Sequence, residues 1–419
     1  MIDELRALGQ LENTLIVLLS DNGASAEGGP AGAINMRKHL VYEKESVAGM
    51  LPRIEQIGTE NAYNHYAAGW AQVSNAPLKW YKQDAHGGGI RAPLVIHWPA
   101  RIRQSHALRS QFHHAIDIAP TILAAAGVRM PAEFRGRSQP PLDGVDMGYS
   151  FDDAARPARR RTQYFEWAGD RGIWHEGWKA VVRHVKGTDF NLDTWELYHL
   201  EEDFSECRDL AGAEPQRLKA MIELWEREAK ANAVLPLDDR DIERAHARSA
   251  MEPVRSHRYS SSMVRVDRLN APNVLGRPHE IRARIAPFRA GTQGVLLAWG
   301  SRFGGLALYV EADHLVFEYV YSLDERQLLR STRPVPDGCR QLAVRLVPPA
   351  AEPGSATLML DGGLAGRMVI ERFWPPYGVT AGITVGRDGG CPVSERYAAP
   401  FPYPGDDWLI EIEIDNKLN

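Results

Sequence analysis

Cysteine is scarce: only Cys207, Cys339 and Cys391 occur in 419 residues. Three isolated thiols cannot build a disulfide framework, and their spacing matches no zinc site. Long hydrophobic runs are also missing, which excludes a bilayer-spanning helix of roughly 20 apolar residues. No block of one charge sign interrupts the balance of 49 basic and 54 acidic residues, so nothing recommends nucleic acid or a membrane surface as a partner. The start, Met1-Ile-Asp-Glu-Leu-Arg, has neither the basic end nor the apolar core of a signal peptide. What is present, 44% hydrophobic residues in a chain of this length, predicts a soluble globular protein of two or three domains with sizeable cores.

The most informative segment is Leu15-Ile-Val-Leu-Leu-Ser-Asp-Asn-Gly23. A continuous apolar run closed by turn residues reads as a buried parallel strand, and ligands of open α/β sheets bind at the carboxyl ends of such strands. Asp21 and Asn22 therefore fall where a metal or anion site belongs, although Asp-Asn-Gly is also good turn chemistry by itself. Their hard oxygens favour Ca²⁺ or Mg²⁺ over zinc.

Around this strand the pattern predicts a helix over 3–10, an irregular insertion over 24–75 overlying the strand end, with helix over 45–57, and a short strand at 94–97. A helix opening at Asp117 and closing at Gly127 follows, then a Pro- and Gly-rich crossover. Residues 160–200 read as a small antiparallel sheet, and 214–231 as an amphipathic helix with Leu218, Ile222 and Trp225 on one face. Beyond a polar stretch, short period-two runs such as 306–310, 342–347 and 409–414 predict an all-β sandwich, for which docking is preferred over carbohydrate binding because no aromatic stripe is evident.

The words Asn13-Thr14, Ser20-Asp-Asn-Gly23, Tyr81-Lys82, Gly88-Gly-Ile-Arg-Ala-Pro-Leu94, His97-Trp-Pro99 and Ile116-Asp-Ile-Ala-Pro-Thr-Ile-Leu123 come in one order. Gln163-Tyr-Phe-Glu166, Gly177-Trp-Lys-Ala180 and Trp195-Glu-Leu-Tyr-His-Leu200, with Asp203 and Glu206, continue it. Together they resemble the type I sulfatases of the bacterial arylsulfatase kind, within the alkaline phosphatase superfamily. The resemblance implies an α/β fold, a partial alkaline phosphatase-like sheet with a C-terminal antiparallel subdomain, followed by the all-β sandwich. Expected domains are residues 1–130 for the C-terminal half of the catalytic domain, 131–240 for the subdomain, 241–264 for a linker and 265–419 for the sandwich.

The resemblance assigns Asp21 and Asn22 to half of a calcium site, with Mg²⁺ as the alternative, and Lys82 to contact with the substrate sulfate. His86, four residues on, could approach a leaving-group oxygen or stand behind the site; Glu27 could line it. His113 and His114, ahead of a helix, read as structural or capping. The family often has Glu ahead of its double glycine where this chain has Gly87, a departure that bears on loop stiffness. The family's Cys-x-Pro-Ser-Arg, whose Cys becomes formylglycine, is not in the sequence: Cys391-Pro-Val-Ser-Glu-Arg has the wrong spacing and place. The expectation is therefore a truncated arylsulfatase-family protein, formylglycine belonging to a missing N-terminal part, with a sulfate ester as the intact parent's substrate. Such a chain should hold metal poorly and be inactive alone. A noncatalytic sulfate- or sugar-binding protein and a phosphonate or phosphate monoester hydrolase remain as alternatives, and the compartment, bacterial cytoplasm or periplasm, stays open.

Overall fold

The computed structural model describes the chain except residues 41–42, 44, 105, 241–253, 264, 275, 350–352, 375–380, 406 and 416–419. It divides into two units, Met1–Ala26 with Ala68–Arg240, and Glu27–Ala67 with Asp241–Asn419. The first is mixed α/β and the second is largely β. No helix among the described residues is long and apolar enough to cross a membrane.

In the first unit the apolar run forms the strand Ile16–Leu19, preceded by the helix Ile2–Ala7. Its partner is Leu94–His97, and the pairing is antiparallel, with Leu18 opposite Val95. The expectation of a buried parallel strand is thus corrected. Leu18 is 68% exposed and Val95 57%, so an apolar run alone did not report burial. The helix Ile118–Ala126 ends where Gly127 takes a left-handed conformation at φ 67°, with Val128 N–H bonding back to the Leu123 carbonyl. Asp117 does not cap that helix with its own side chain. It is buried, and accepts hydrogen bonds from the backbone N–H groups of His114 (3.0 Å) and Val145 (2.9 Å) and from Arg160.

The expected antiparallel sheet is present in the order Thr162–Trp167, Asp170–His175, Trp178–Val182, Glu196–His199. Its two hairpins close through Ala168-Gly169 and Glu176-Gly177, all four residues having positive φ, the mirror-image turn whose twist matches paired strands. The helix Pro215–Ala231 buries Met221, Trp225 and Ala229 in a cluster with Ile173, Ala180 and Leu197 of that sheet. This side of the unit is a closed apolar core; fully burying a side chain such as Ile173, Leu197 or Met221 contributes about 1.5–3 kcal/mol.

The second unit is a sandwich. One sheet runs Gly363–Val369, Ser355–Leu360, Gln341–Val347, His279–Arg284, Leu409–Ile414, Ser256–Ser260, and the other Glu325–Arg330, His314–Ser322, Gly304–Glu311, Gly294–Ser301, Ile383–Val385. Ile281, Leu308, Phe317, Leu342 and Ile410 belong to the core that both sheets share. A further apolar layer, including Val295, Tyr309, Val316 and Val393, covers the other face of the second sheet. Its central strands are consequently buried on both faces. Of the expected linker 241–264, residues 241–253 and 264 lie outside the described residues, and Ser256–Ser260 within it is a strand. Residues 27–67, expected to overlie the strand end, group with the sandwich: Arg53 pairs with Asp324 at 3.2 Å, and Arg372 with Glu43.

Candidate anion and metal site

The turn after Ile16–Leu19 is built locally. Ser20 Oγ donates to the Asn22 carbonyl (3.0 Å), and Asn22 Nδ2 donates to the Gly23 carbonyl (2.8 Å). That leaves Asn22 Oδ1 without a protein donor among the described residues. Asp21 beside it is exposed.

Two backbone bonds then stitch this corner to the turn that carries Lys82: Gly23 N–H donates to the Gly89 carbonyl (3.0 Å), and Lys82 N–H donates to the Ala24 carbonyl (2.9 Å). Asn75 completes the seam. Its Oδ1 accepts from Ala24 N–H (3.0 Å), and its Nδ2 donates to the carbonyls of Trp80 (3.0 Å) and Gly88 (2.9 Å). The approach is close enough to require glycine: a Cβ on Gly23 would stand 1.6 Å from the Gly88 oxygen, and one on Gly88 1.9 Å from the Trp80 oxygen. Lys82 is half-buried between Trp80 and Gln83, whose φ values of 65° and 77° are left-handed and uncommon for residues with a Cβ. The structure therefore brings together the segments bearing Asp21, Asn22 and Lys82.

His86 is in the same turn but fully buried, with Nδ1 2.6 Å from Asp84 Oδ1 and Nε2 3.0 Å from Glu196 Oε2. Both ring nitrogens are committed to carboxylates. Asp84 also meets Arg183 (2.7 Å), and Glu196 also accepts from Lys79 (2.9 Å) and from the Tyr198 hydroxyl. Burial lowers the His86 pKa, but the hydrogen bonds to Asp84 and Glu196 outweigh it and the net shift is upward. The hydrogen bond from His86 holds Glu196 well below the usual carboxylate range. The next residue, Gly87, donates its N–H to Glu206 (2.8 Å), whose other oxygen accepts from Lys179 (2.6 Å). Glu206, which follows the last strand of the sheet, thus stands behind the glycine turn.

Asn75, Asp84, Glu196 and Lys179 escaped the sequence reading. Asn75 lies in a turn-rich stretch and carried no motif, Asp84 is only two residues from His86 but carried no motif either, and Glu196 and Lys179 act at a distance in sequence. Glu196 and Lys179 did fall within quoted words, but as sheet landmarks. His113 and His114 are both near Asp117, His114 as a helix cap, which agrees with a structural role. Glu27 belongs to the second unit.

Asp21 and Asn22 offer the donor chemistry of a hard divalent cation but not the count. Ca²⁺ takes about six to eight oxygens, and among the described residues no group of three or more His, Cys, Asp or Glu is placed to hold a metal.

Comparison with known proteins gives the class. Residues 1–128 match the sulfatase family model, and residues 79–232 match the model of the N-sulphoglucosamine sulphohydrolase C-terminal region. Between them the two models cover residues 1–232, and this part of the chain belongs to the type I sulfatase family. The chain is similar to an uncharacterized sulfatase of Schizosaccharomyces pombe, 32% identical over 57% of this chain and 42% of that one. It is also similar to the arylsulfatase of Klebsiella aerogenes, 27% identical over 40% of this chain and 34% of that one. The crystal structure of Ps i-CgsB aligns with 59% of this chain and 43% of its own, at 22% identity and a TM-score of 0.38. The chain spans less than half the length of these curated relatives.

Proposed function

We propose that the corner at Asp21, Asn22 and Lys82 is part of a site for sulfuric ester hydrolysis, with aryl sulfates as the substrate class. The observation that carries this reading is the pair of backbone bonds joining Gly23 to Gly89 and Ala24 to Lys82, which keeps the lysine turn beside the acid-amide pair. A transferring sulfonyl group bears three oxygens whose charge must be met by fixed positive groups. The Lys82 ammonium suits one of them as a point charge with rotatable donors. Asp21 and Asn22 supply two oxygens toward Ca²⁺, or Mg²⁺, which when bound would polarise the ester. His86, with both nitrogens engaged, is assigned to the framework of the turn rather than to a leaving-group oxygen.

The sequence contains no Cys-x-Pro-Ser-Arg, so this polypeptide alone is expected to turn over no aryl sulfate. Groups that act as a unit lose nearly all their joint advantage when one is missing.

The test is a titration of the 419-residue chain with calcium and with inorganic sulfate, followed at the amide resonances of Asn22, Gly23 and Lys82. Calcium shifts at Asn22 and sulfate shifts at Lys82, the latter abolished by Lys82→Ala, support the reading. Shifts confined to other residues sink it. A chromogenic aryl sulfate assay accompanies the titration, and calcium-dependent turnover by this chain would overturn the expectation that it is inactive alone.

A further inference from the structure

We propose that His86 is a positioning residue, a charged strut between Asp84 and Glu196 that holds the Lys82 turn against the Gly23–Ala24 corner. The consequence for anion capture rests on the reading of Lys82 given above; the strut itself does not.

The geometry requires a proton on each ring nitrogen. Carboxylates only accept hydrogen bonds, and a neutral imidazole has one N–H. Nδ1 stands 2.6 Å from Asp84 and Nε2 3.0 Å from Glu196, so the neutral ring would turn a lone pair toward one of the two carboxylates. Asp84 belongs to the Lys82 turn and also accepts from the His86 backbone N–H (2.8 Å), whereas Glu196 belongs to the strand Glu196–His199. The imidazolium thus spans the Lys82 turn and a strand of the sheet.

The neighbourhood is charged on every side. From the sheet come Glu196, Tyr198, whose ring centroid is 6.3 Å away, and Asp170 of the strand Asp170–His175, two places along the same sheet. Glu206 acts on the ring through its charge. On the cationic side Lys79 meets Glu196 at 2.9 Å, Arg183 meets Asp84 at 2.7 Å and Lys179 meets Glu206 at 2.6 Å. Asp84, Glu196 and Glu206 each have a cation of their own. Loss of the His86 proton therefore strips no carboxylate bare; it removes one direct bridge between turn and sheet, beside which Lys79–Glu196, Arg183–Asp84 and Gly87–Glu206–Lys179 remain.

Although burial opposes it, the hydrogen bonds to Asp84 and Glu196 raise the folded-state pKa of His86 above 6.5. A raised histidine pKa contributes stability that is fully present below the unfolded value and is lost as pH rises through the folded one. The turn should therefore loosen on the alkaline side. The bonds at risk are Lys82 N–H to Ala24, Gly23 N–H to Gly89 and Gly88 N–H to Lys79.

Hydrogen exchange of the full chain, read by mass spectrometry between pH 6 and pH 9 and corrected for intrinsic rates, tests this. Peptides over residues 79–91 are expected to lose protection by roughly tenfold across that range, while those from Asp170–His175 and Trp178–Val182 stay constant. His86→Gln should be loose already at pH 6 and show no step. Glu196→Gln, a milder change, should keep the step and move it to lower pH, which a space-filling role for the ring would not do. A wild-type chain with no alkaline step, or a Glu196→Gln step at the wild-type pH, overturns the strut. Inorganic sulfate titrated on the same samples separates the readings: a step without sulfate binding retains the strut and removes the anion role of Lys82, and sulfate binding without a step does the reverse.

Discussion

Replacing Lys179 with methionine isolates the buried ion pair beneath the glycine turn. Lys179 is 1% exposed and Glu206 2%, and Glu206 joins Lys179 (2.6 Å) to the N–H of Gly87 (2.8 Å). Methionine keeps the stem of the side chain but leaves the Glu206 carboxylate buried with only a backbone donor. Breaking a buried pair from one side costs about 3–5 kcal/mol, because the remaining charge is uncompensated. The double variant Lys179→Met/Glu206→Gln removes both charges and retains an acceptor for Gly87, so it should return to within ~1 kcal/mol of the wild type. Urea unfolding followed by the fluorescence of buried Trp174 and Trp225 reads the difference as a midpoint shift of about 1–2 M for an m-value near ~3 kcal/mol/M.

Equal losses in the single and double variants would refute the argument that charge rather than packing makes this pair matter.

Other outcomes are expected from the same structure. Asp117→Asn should cost about 2–4 kcal/mol in thermal or urea unfolding, since it strands buried Arg160. Although burial opposes it, the hydrogen bonds from His113 and Arg160 hold the Asp117 carboxyl well below its ordinary value, so its contribution is present above about pH 4 and lost as pH falls further. Burial pushes Asp170 up to about 6; its charged form is disfavoured, the penalty grows between about pH 4 and pH 6, and Asp170→Asn should flatten that part of the stability profile. Gly23→Ala should prise the corner from the lysine turn, because its Cβ meets the Gly88 oxygen at 1.6 Å; loss of exchange protection at Lys82 with the antiparallel sheet intact is the check.

Strands and turns with strong local signals were legible, and partnerships across the chain were not. The run ending at Asp21 announced a strand, yet nothing in five apolar residues says which neighbour they pair with or whether they are covered, and Leu18 faces outward. The four-stranded sheet could be read because each hairpin carries its own turn residues. His279–Arg284 and Glu325–Arg330 were missed because Arg and Glu dominate both strands, although Ile281 and Ala283 of the former are fully buried. Asp21, Asn22 and Lys82 came from motif words. The groups that fix the turn did not: Glu196 is 110 residues from His86 and Glu206 119 from Gly87, and no local pattern encodes contacts of that range.

The interleaving of the two units also sets a schedule. The chain enters the second unit at Glu27, leaves it after Ala67 and returns only at Asp241. Arg53 is 271 residues ahead of its partner Asp324, and Glu43 329 ahead of Arg372. At a synthesis rate of about 5–20 residues per second, the early segment waits roughly 15–60 seconds before those partners leave the ribosome. Ile34 and Met36, buried in the finished protein, are without their final surroundings for that interval. The strands that the described residues of this sequence contribute to the first unit, by contrast, are all made once residue 199 has been made. A nascent chain is thus expected to carry those strands while an earlier-made segment of the other unit is still held in waiting, the circumstance in which chaperone engagement at residues 27–67 would be greatest.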